Sequence, residues 1–280
     1  MTILVPTDFS KPSKVAVLYA AKLAKKTDSE LMIVNVVYSQ ASSRAIMVTP
    51  KLEAEMKKFA NNELDILVNE IKSQIKGELK ITVRLLTGFP VTNVLQRFLR
   101  KSKIDLVIMG TLGATGLQKV LIGSNAAAMI QGSIVPVIIV PQNATFKNFK
   151  KVVYATDLVN MEKELSTVCK FVKPFNANID VLHVTPEDTP IKLVPKQLKS
   201  DLIAKMKYDK ISFHLSKNDA IPEAIDDFII RKKADILVMF THKLSFFEKL
   251  FSRSVTRKLA FHSYVPMLTF NKDNLTAPKK

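Results

Sequence analysis

The 280-residue sequence predicts an α/β fold built as two tandem five-stranded parallel-sheet domains. Three observations carry this reading. Four blocks of sequence recur in the same order in the two halves. Each half alternates short apolar runs with longer stretches of helical spacing. The chain between successive apolar runs is long enough for a helical crossover, which makes neighbouring strands parallel.

The repeat comes first. ILVPTDFS at 3–10 matches VVYATDLV at 152–159, and LMIVNVV at 31–37 matches IDVLHVT at 179–185. KIDLVIMG at 103–110 matches KADILVMF at 233–240, and SIVPVIIV at 133–140 matches SYVPMLTF at 263–270. The last two pairs share an offset of 130, whereas the first has an offset of 149. The second half is therefore shorter in its middle, after its second strand, where the first half has residues 38–72. Four matched blocks in one order argue for duplication. The expected domains are 1–145 and 150–272, with a flexible tail at 273–280. The Asn- and Lys-rich PQNATFKNFKK serves as the linker.

Within the first half, TILVPT is a short β-favouring run. SKVAVLYAAKLAKKT has helical spacing, with Val15, Leu18, Ala21 and Leu23 near one face. LMIVNVV is a continuous apolar run, as expected of a strand buried on both faces. A long helix is expected around 52–76, and KITVRLLTG is the third strand. PVTNVLQRFLRKS opens with Pro90 at a helix start and carries an apolar stripe at Val94, Leu95, Phe98 and Leu99. IDLVIMG is the fourth strand, SNAAAMIQGS a short helix and VPVIIV the fifth strand.

Composition bounds the function. Hydrophobic residues make up 47% and charged residues 24%, which suits buried cores and argues against bulk disorder. Cys169 is the only cysteine, so no intrachain disulfide forms, and a cytoplasmic location is expected. The start MTILVPTDFS lacks the basic region of a signal peptide, and VPVIIVP is too short to span a bilayer. The net charge of +17 divides evenly, with +9 in residues 1–148 and +8 in 149–280. It is read as a solvated basic surface that favours a polyanionic small ligand, with no membrane or nucleic-acid partner expected.

Seven glycines occur in the chain and none follows Gly132. Four of them, Gly110, Gly113, Gly116 and Gly123, fall in VIMGTLGATGLQKVLIGSNAAAMI. Glycine lets backbone N–H groups approach a phosphate without a Cβ in the way. The spacing Gly110-x2-Gly113-x9-Gly123-Ser124 leads into a helix, whose N-terminus favours anions. Ser124 is a good cap residue and a hydroxyl donor to phosphate. No GK[ST] and no G-x-G-x-x-G after the first strand occurs, so neither a Walker A loop nor a dinucleotide fingerprint is present. In an open parallel sheet ligands sit at the carboxyl ends of strands, where the strand order reverses. VPTDFS brings Asp8 and Ser10 to such an end, and the glycine loop begins at another. Asp8 has two readings, ligand contact or cap of the next helix. Met109 is read equally as core and as ligand wall, and Lys119 as a solvated side chain or a phosphate contact.

With PTDFS, the G-x2-G-x9-G-S loop and VPVIIVP in place, the chain resembles a tandem member of the universal stress protein family over nearly its whole length. That resemblance implies an adenine nucleotide alpha hydrolase-like, Rossmann-like sandwich with strand order 3-2-1-4-5. It also implies ATP (or AMP or ADP) with Mg2+, held between the first and fourth strands. Pro6, Thr7 and Asp8 would flank the nucleoside and Val36 would meet adenine through its backbone. Met109 and Gly110 would border the ribose, while Gly113, Gly123, Ser124 and Asn125 would line the phosphates. Asn35 departs from the pattern, since HV is common there, with little effect expected on binding. The two VP strands, 135–140 and 265–270, would pair across a pseudo-twofold axis as an internal dimer, and a homodimer is a further possibility of the family.

The second half keeps Asp157 for Asp8 but has Ala155 for Pro6, Phe240 for Gly110, Lys243 for Gly113 and Arg253 for Gly123, with Ser254 for Ser124. The phosphate cradle is expected in the first half only. FFEKLFSRSVTRK, with Phe246, Phe247, Leu250 and Phe251 at helical spacing, is read as core or domain packing, with a partner-binding surface as the alternative. Hydrolysis needs a positioned base and a metal carboxylate. The first half has no histidine, and Asp8 is the one acid placed near the crevice. A nucleotide-dependent regulator of the stress response is expected. The alternatives are a slow ATPase or autophosphorylating protein, with Ser124 or Thr111 as acceptor, and an interaction scaffold with structural ATP.

Overall fold

The computed structural model describes residues 1–38, 50–111, 123–189, 196–241 and 265–271. They form two compact units, the first running to Phe146 and the second starting at Lys147. The first unit holds β1 (Thr2–Pro6), α1 (Lys11–Lys26), β2 (Glu30–Val37), α2 (Pro50–Gln74) and β3 (Ile81–Thr87). It continues with α3 (Val91–Lys101), β4 (Leu106–Gly110), α4 (Ser124–Gly132) and β5 (Val137–Val140). Its strands lie in the order β3-β2-β1-β4-β5, all parallel. β1 is central, and Ile3, Leu4 and Val5 are buried completely, as the unbroken apolar run requires. The registers Pro6↔Val34 and Ile3↔Leu106 set β1 between β2 and β4. The chain leaves β1 in one direction along the sheet and reaches β4 in the other. The crevice outside their carboxyl ends is therefore the switch point.

The helices follow their caps and small faces. Ser10 is the N-cap of α1 and accepts from Ser13 N at 3.4 Å, while Lys25 and Lys26 in the last turn suit the dipole. The buried face of α1 is Ala16, Val17, Ala20, Ala21, Leu23 and Ala24. Val15 and Leu18, expected on that face, are only half-buried. Tyr19 is buried as well, so the buried face mixes alanines with large side chains. α2 buries Ala60, Leu64, Leu67 and Ile71, one stripe at helical period. α3 buries Leu95 and Leu99, with Val94 and Phe98 half-buried beside them.

The second unit repeats the plan. It contains β6 (Lys151–Ala155), α5 (Met161–Val172), a short 3-10 turn, β7 (Asn178–Thr185) and α6 (Lys196–Met206). β8 (Ile211–Lys217), α7 (Ile221–Lys232), β9 (Ile236–Thr241) and β10 (Met267–Asn271) complete it. The order is β8-β7-β6-β9-β10, again parallel. α6 has 11 residues where α2 has 25, consistent with the shorter middle of the repeat. Asp180 on β7 ties three elements together: its Oδ1 accepts from Lys232 Nζ at 2.8 Å and lies 2.6 Å from His214 Nε2.

Asp226 on α7 gives this unit a pH dependence. Burial, reinforced by the Glu223 and Asp227 carboxylates, pushes its carboxyl from 3.8 up to about 7. Folding thus favours the protonated form. The stability this group contributes is complete below about pH 4 and lost as pH rises through about 7. Asp226→Asn should therefore raise the calorimetric melting temperature at about pH 8 and change it little at about pH 4. Equal shifts at both values would count against a raised carboxyl pKa.

Candidate functional site

One cleft of about 650 Å³ opens at the carboxyl ends of β1, β2 and β4. Pro6, Thr7, Asp8, Val36, Met109, Gly110, Gly123, Ser124 and Asn125 all line it. Four separate segments of sequence thus meet in one place. Of the anticipated residues, Gly113 lies outside the described residues, as do Gly116 and Lys119.

The β1 end is a tightly held turn. Thr7 N donates to Val34 O at 2.9 Å, extending the β1–β2 ladder, and Asn35 Nδ2 donates to Thr7 O at 2.8 Å. Thr7 Oγ1 accepts from Phe9 N at 3.0 Å and lies 3.0 Å from Ser13 Oγ. These bonds hold Phe9 at φ 63°, a left-handed conformation that costs a bulky residue about 1–3 kcal/mol. Asp8 Oδ1 accepts from Ser10 N at 3.1 Å and from Ser10 Oγ at 2.5 Å. The helix cap is therefore Ser10, braced by Asp8, which also lines the cleft.

The β4 end and the start of α4 are joined. Thr111 N donates to Val140 O at 3.1 Å, and Gly123 N donates to Thr111 O at 2.6 Å. Thr111 and Gly123 are thus held together by one hydrogen bond. Gly123 is the N-cap of α4, because its carbonyl accepts from Ala127 N at 2.9 Å. This corrects the assignment of the cap to Ser124, which is the first helical residue. Gly123 has φ −60°, so no left-handed conformation demands glycine there. The first-turn N–H groups of α4 have no partner within the helix, as at every helix N-terminus. Ser124 and Asn125 are exposed at this end of the cleft.

The floor is apolar: Val36 is 8% exposed and Met109 7%. Met109 is thus both core and wall. Several lining residues escaped the sequence reading. α2 contributes Glu55, Met56, Phe59 and Ala60, and Tyr38 follows β2. Glu55 is a second acid beside the crevice, so Asp8 is not alone. Glu55 with Phe59, and Met56 with Ala60, are i,i+4 pairs, a spacing that marks one helix face but not what that face meets. The arrangement can hold a flat apolar group on the floor, a hydroxyl-bearing group near Asp8 and an anion at α4.

In the second unit an aromatic ring stands where the first has Gly110. Phe240 occupies the register of Gly110: Gly110 pairs with Val140, and Phe240 with Phe270. The Phe240 ring is 5% exposed, stacks on Phe270 at 5.0 Å and meets Tyr154 edge-on at 5.6 Å. The Tyr154 hydroxyl donates to buried Glu164 Oε2 and lies 3.1 Å from Thr156 Oγ1. Burial, then the Glu164 charge, hold this phenol well above 10, so it stays a neutral donor. The β6 turn is nonetheless intact, with Leu158 N donating to Thr156 Oγ1 at 3.0 Å and Leu158 at φ 65°. Lys243, Arg253, Ser254 and the 246–258 segment lie outside the described residues.

Two matches to the universal stress protein family model cover residues 1–141 and 148–271. A universal stress protein of Methanocaldococcus jannaschii is 32% identical over 139 residues, 49% of this chain and 80% of that protein. A second from the same organism is 25% identical over 151 residues, 49% of this chain and 93% of that protein. The crystal structure of a universal stress protein from Archaeoglobus fulgidus matches over 96% of both chains, with a TM-score of 0.72 and 20% identity, which speaks for the fold.

Proposed function

The chain belongs to the universal stress protein family, and on that footing we propose that its first half binds one adenine nucleotide and acts as a nucleotide-dependent regulator of a stress response. The convergence of nine anticipated residues on one cleft carries this reading. An apolar floor suits adenine, the Asp8 carboxylate suits a ribose hydroxyl, and the α4 N-terminus suits phosphate. Asp8 and Glu55 are the charged side chains among the described lining residues. The helix dipole therefore supplies positive potential there, aided by the field of a chain with net charge +17. Asp8 and Glu55 are also the carboxylates available to Mg2+ accompanying the phosphates. Among the described residues no helix is long and apolar enough to cross a membrane. A cytoplasmic location and an association of the two halves through their final strands belong to the same proposal.

Titration calorimetry of the full chain with ATP tests it. One site per chain is expected, because Phe240 fills the second unit's counterpart of Gly110. Two equivalent sites would contradict the closure of the second unit, and no binding would remove the proposal. Mass spectrometry of small molecules released from the purified protein is expected to find an adenine nucleotide.

A further inference from the structure

We infer that Asn35 is the positioning residue of the cleft: its amide sets the Thr7–Asp8–Phe9 turn through the Thr7 carbonyl, and a histidine does the same work in the second unit. The inference rests on the nucleotide reading of the cleft. Asn35 is buried at the end of β2, one residue before Val36. Its Nδ2 donates to Thr7 O at 2.8 Å. The orientation follows from chemistry, because a carbonyl only accepts and the other end of the amide would repel it. In the second unit His183 stands one residue before Val184, and its Nδ1 lies 2.8 Å from Thr156 O. Nδ1 must carry the proton there for the same reason.

Two backbone-donor bonds around the turn have close counterparts. Thr7 N donates to Val34 O and Thr156 N to Leu182 O, both at 2.9 Å. Phe9 N donates to Thr7 Oγ1 and Leu158 N to Thr156 Oγ1, both at 3.0 Å. Phe9 and Leu158 sit at φ 63° and 65°. Two different side chains thus hold one turn in one geometry, and the shared property is an N–H aimed at the same carbonyl. The unit with Phe240 at the register of Gly110 keeps the bond, so the bond serves the turn. In the first unit that turn carries Asp8 into the cleft. Removing the donor leaves a buried carbonyl without its partner and frees the turn that aims Asp8.

Calorimetric titration of full-length variants with adenosine and with ATP tests this. The measurement is made at about pH 8, where an imidazole of ordinary pKa is neutral. Asn35→His is expected to bind both ligands within about threefold of wild type, since it supplies the same donor. Asn35→Leu, of similar size but without a donor, is expected to lose at least about tenfold for both, as a lost buried hydrogen bond implies. Should Asn35→Leu fail to fold, Asn35→Ala is expected to show a smaller loss, again equal for both ligands. Wild-type affinity in a folded Asn35→Leu would overturn the inference. So would equal losses in Asn35→His and Asn35→Leu, or a loss confined to ATP. Wild-type protein that binds neither ligand would remove the nucleotide reading, and the inference with it.

Discussion

Gly123→Arg is expected to weaken ATP binding at least about tenfold, roughly 1.4 kcal/mol, while adenosine loses much less. The reason is space and not backbone strain. Gly123 sits at φ −60°, which any residue adopts, and its N–H and C=O are both used in bonds that an arginine backbone would keep. A side chain there would project from the N-cap of α4 beside Ser124 and Asn125, where the phosphates are proposed to lie. The second half carries Arg253 at the matching place in sequence, so the fold is expected to survive. Paired calorimetric titrations with ATP and adenosine decide the matter. Equal losses would put the nucleoside at α4, and unchanged ATP affinity in a folded variant would remove the phosphate cradle. The contrast with Asn35→Leu is deliberate, since that change is expected to affect both ligands alike.

Phe240→Gly is expected to destabilise the second unit by at least about 3–5 kcal/mol, the range for deleting a buried aromatic side chain. Phe240 is the in-register partner of Phe270, its ring stacks on that residue, and Tyr154 meets its edge. Removing the ring empties a packed volume and takes a contact from both neighbours. Glycine inside a strand adds a backbone cost of roughly 0.5–1 kcal/mol. The change restores a glycine at the register of Gly110 but leaves Tyr154 and Ala155 in place of Val5 and Pro6. Nucleotide stoichiometry is therefore expected to stay at one per chain. Urea denaturation followed by a probe in the second unit measures the first effect and calorimetry the second. A loss below about 1 kcal/mol would mean that the ring is not packed as a core residue.

Much of this was legible in the residues because it depends on local pattern. Continuous apolar runs such as LMIVNVV mark strands buried on two faces, and the offsets of 130 and 149 locate the shorter connection that α6 makes in place of α2. The glycine distribution singles out one half. Dihedral and cap assignments were less secure. Ser124 is as good a cap residue as any, yet Gly123 caps α4, because the bond from Gly123 N to Thr111 O fixes where the helix starts. The α1 face also shifted, with Val15 and Leu18 half-buried while Ala16, Val17, Tyr19 and Ala20 are buried.

The sequence by itself determined the strand–helix alternation, the duplication, the family and the nine residues that meet in the cleft. The alternation and the duplication follow from pattern and spacing along the chain, and the cleft residues from the family resemblance that PTDFS, the glycine spacing and VPVIIVP carry. Only the tertiary structure decided what stands opposite them. Glu55, Met56 and Phe59 reach the cleft because α2 crosses over the β2 end, and helical period reports a face without reporting its neighbour. The repeat aligns Asn35 with His183, but the two letters share no evident chemistry. They become equivalent when each N–H meets the same carbonyl 28 or 27 residues away in the chain. Phe240 reads as one more apolar residue until register sets it against Phe270 and beside Tyr154. Such contacts depend on long-range pairing, in which the partner's identity is set by strand register and not by anything local to either residue.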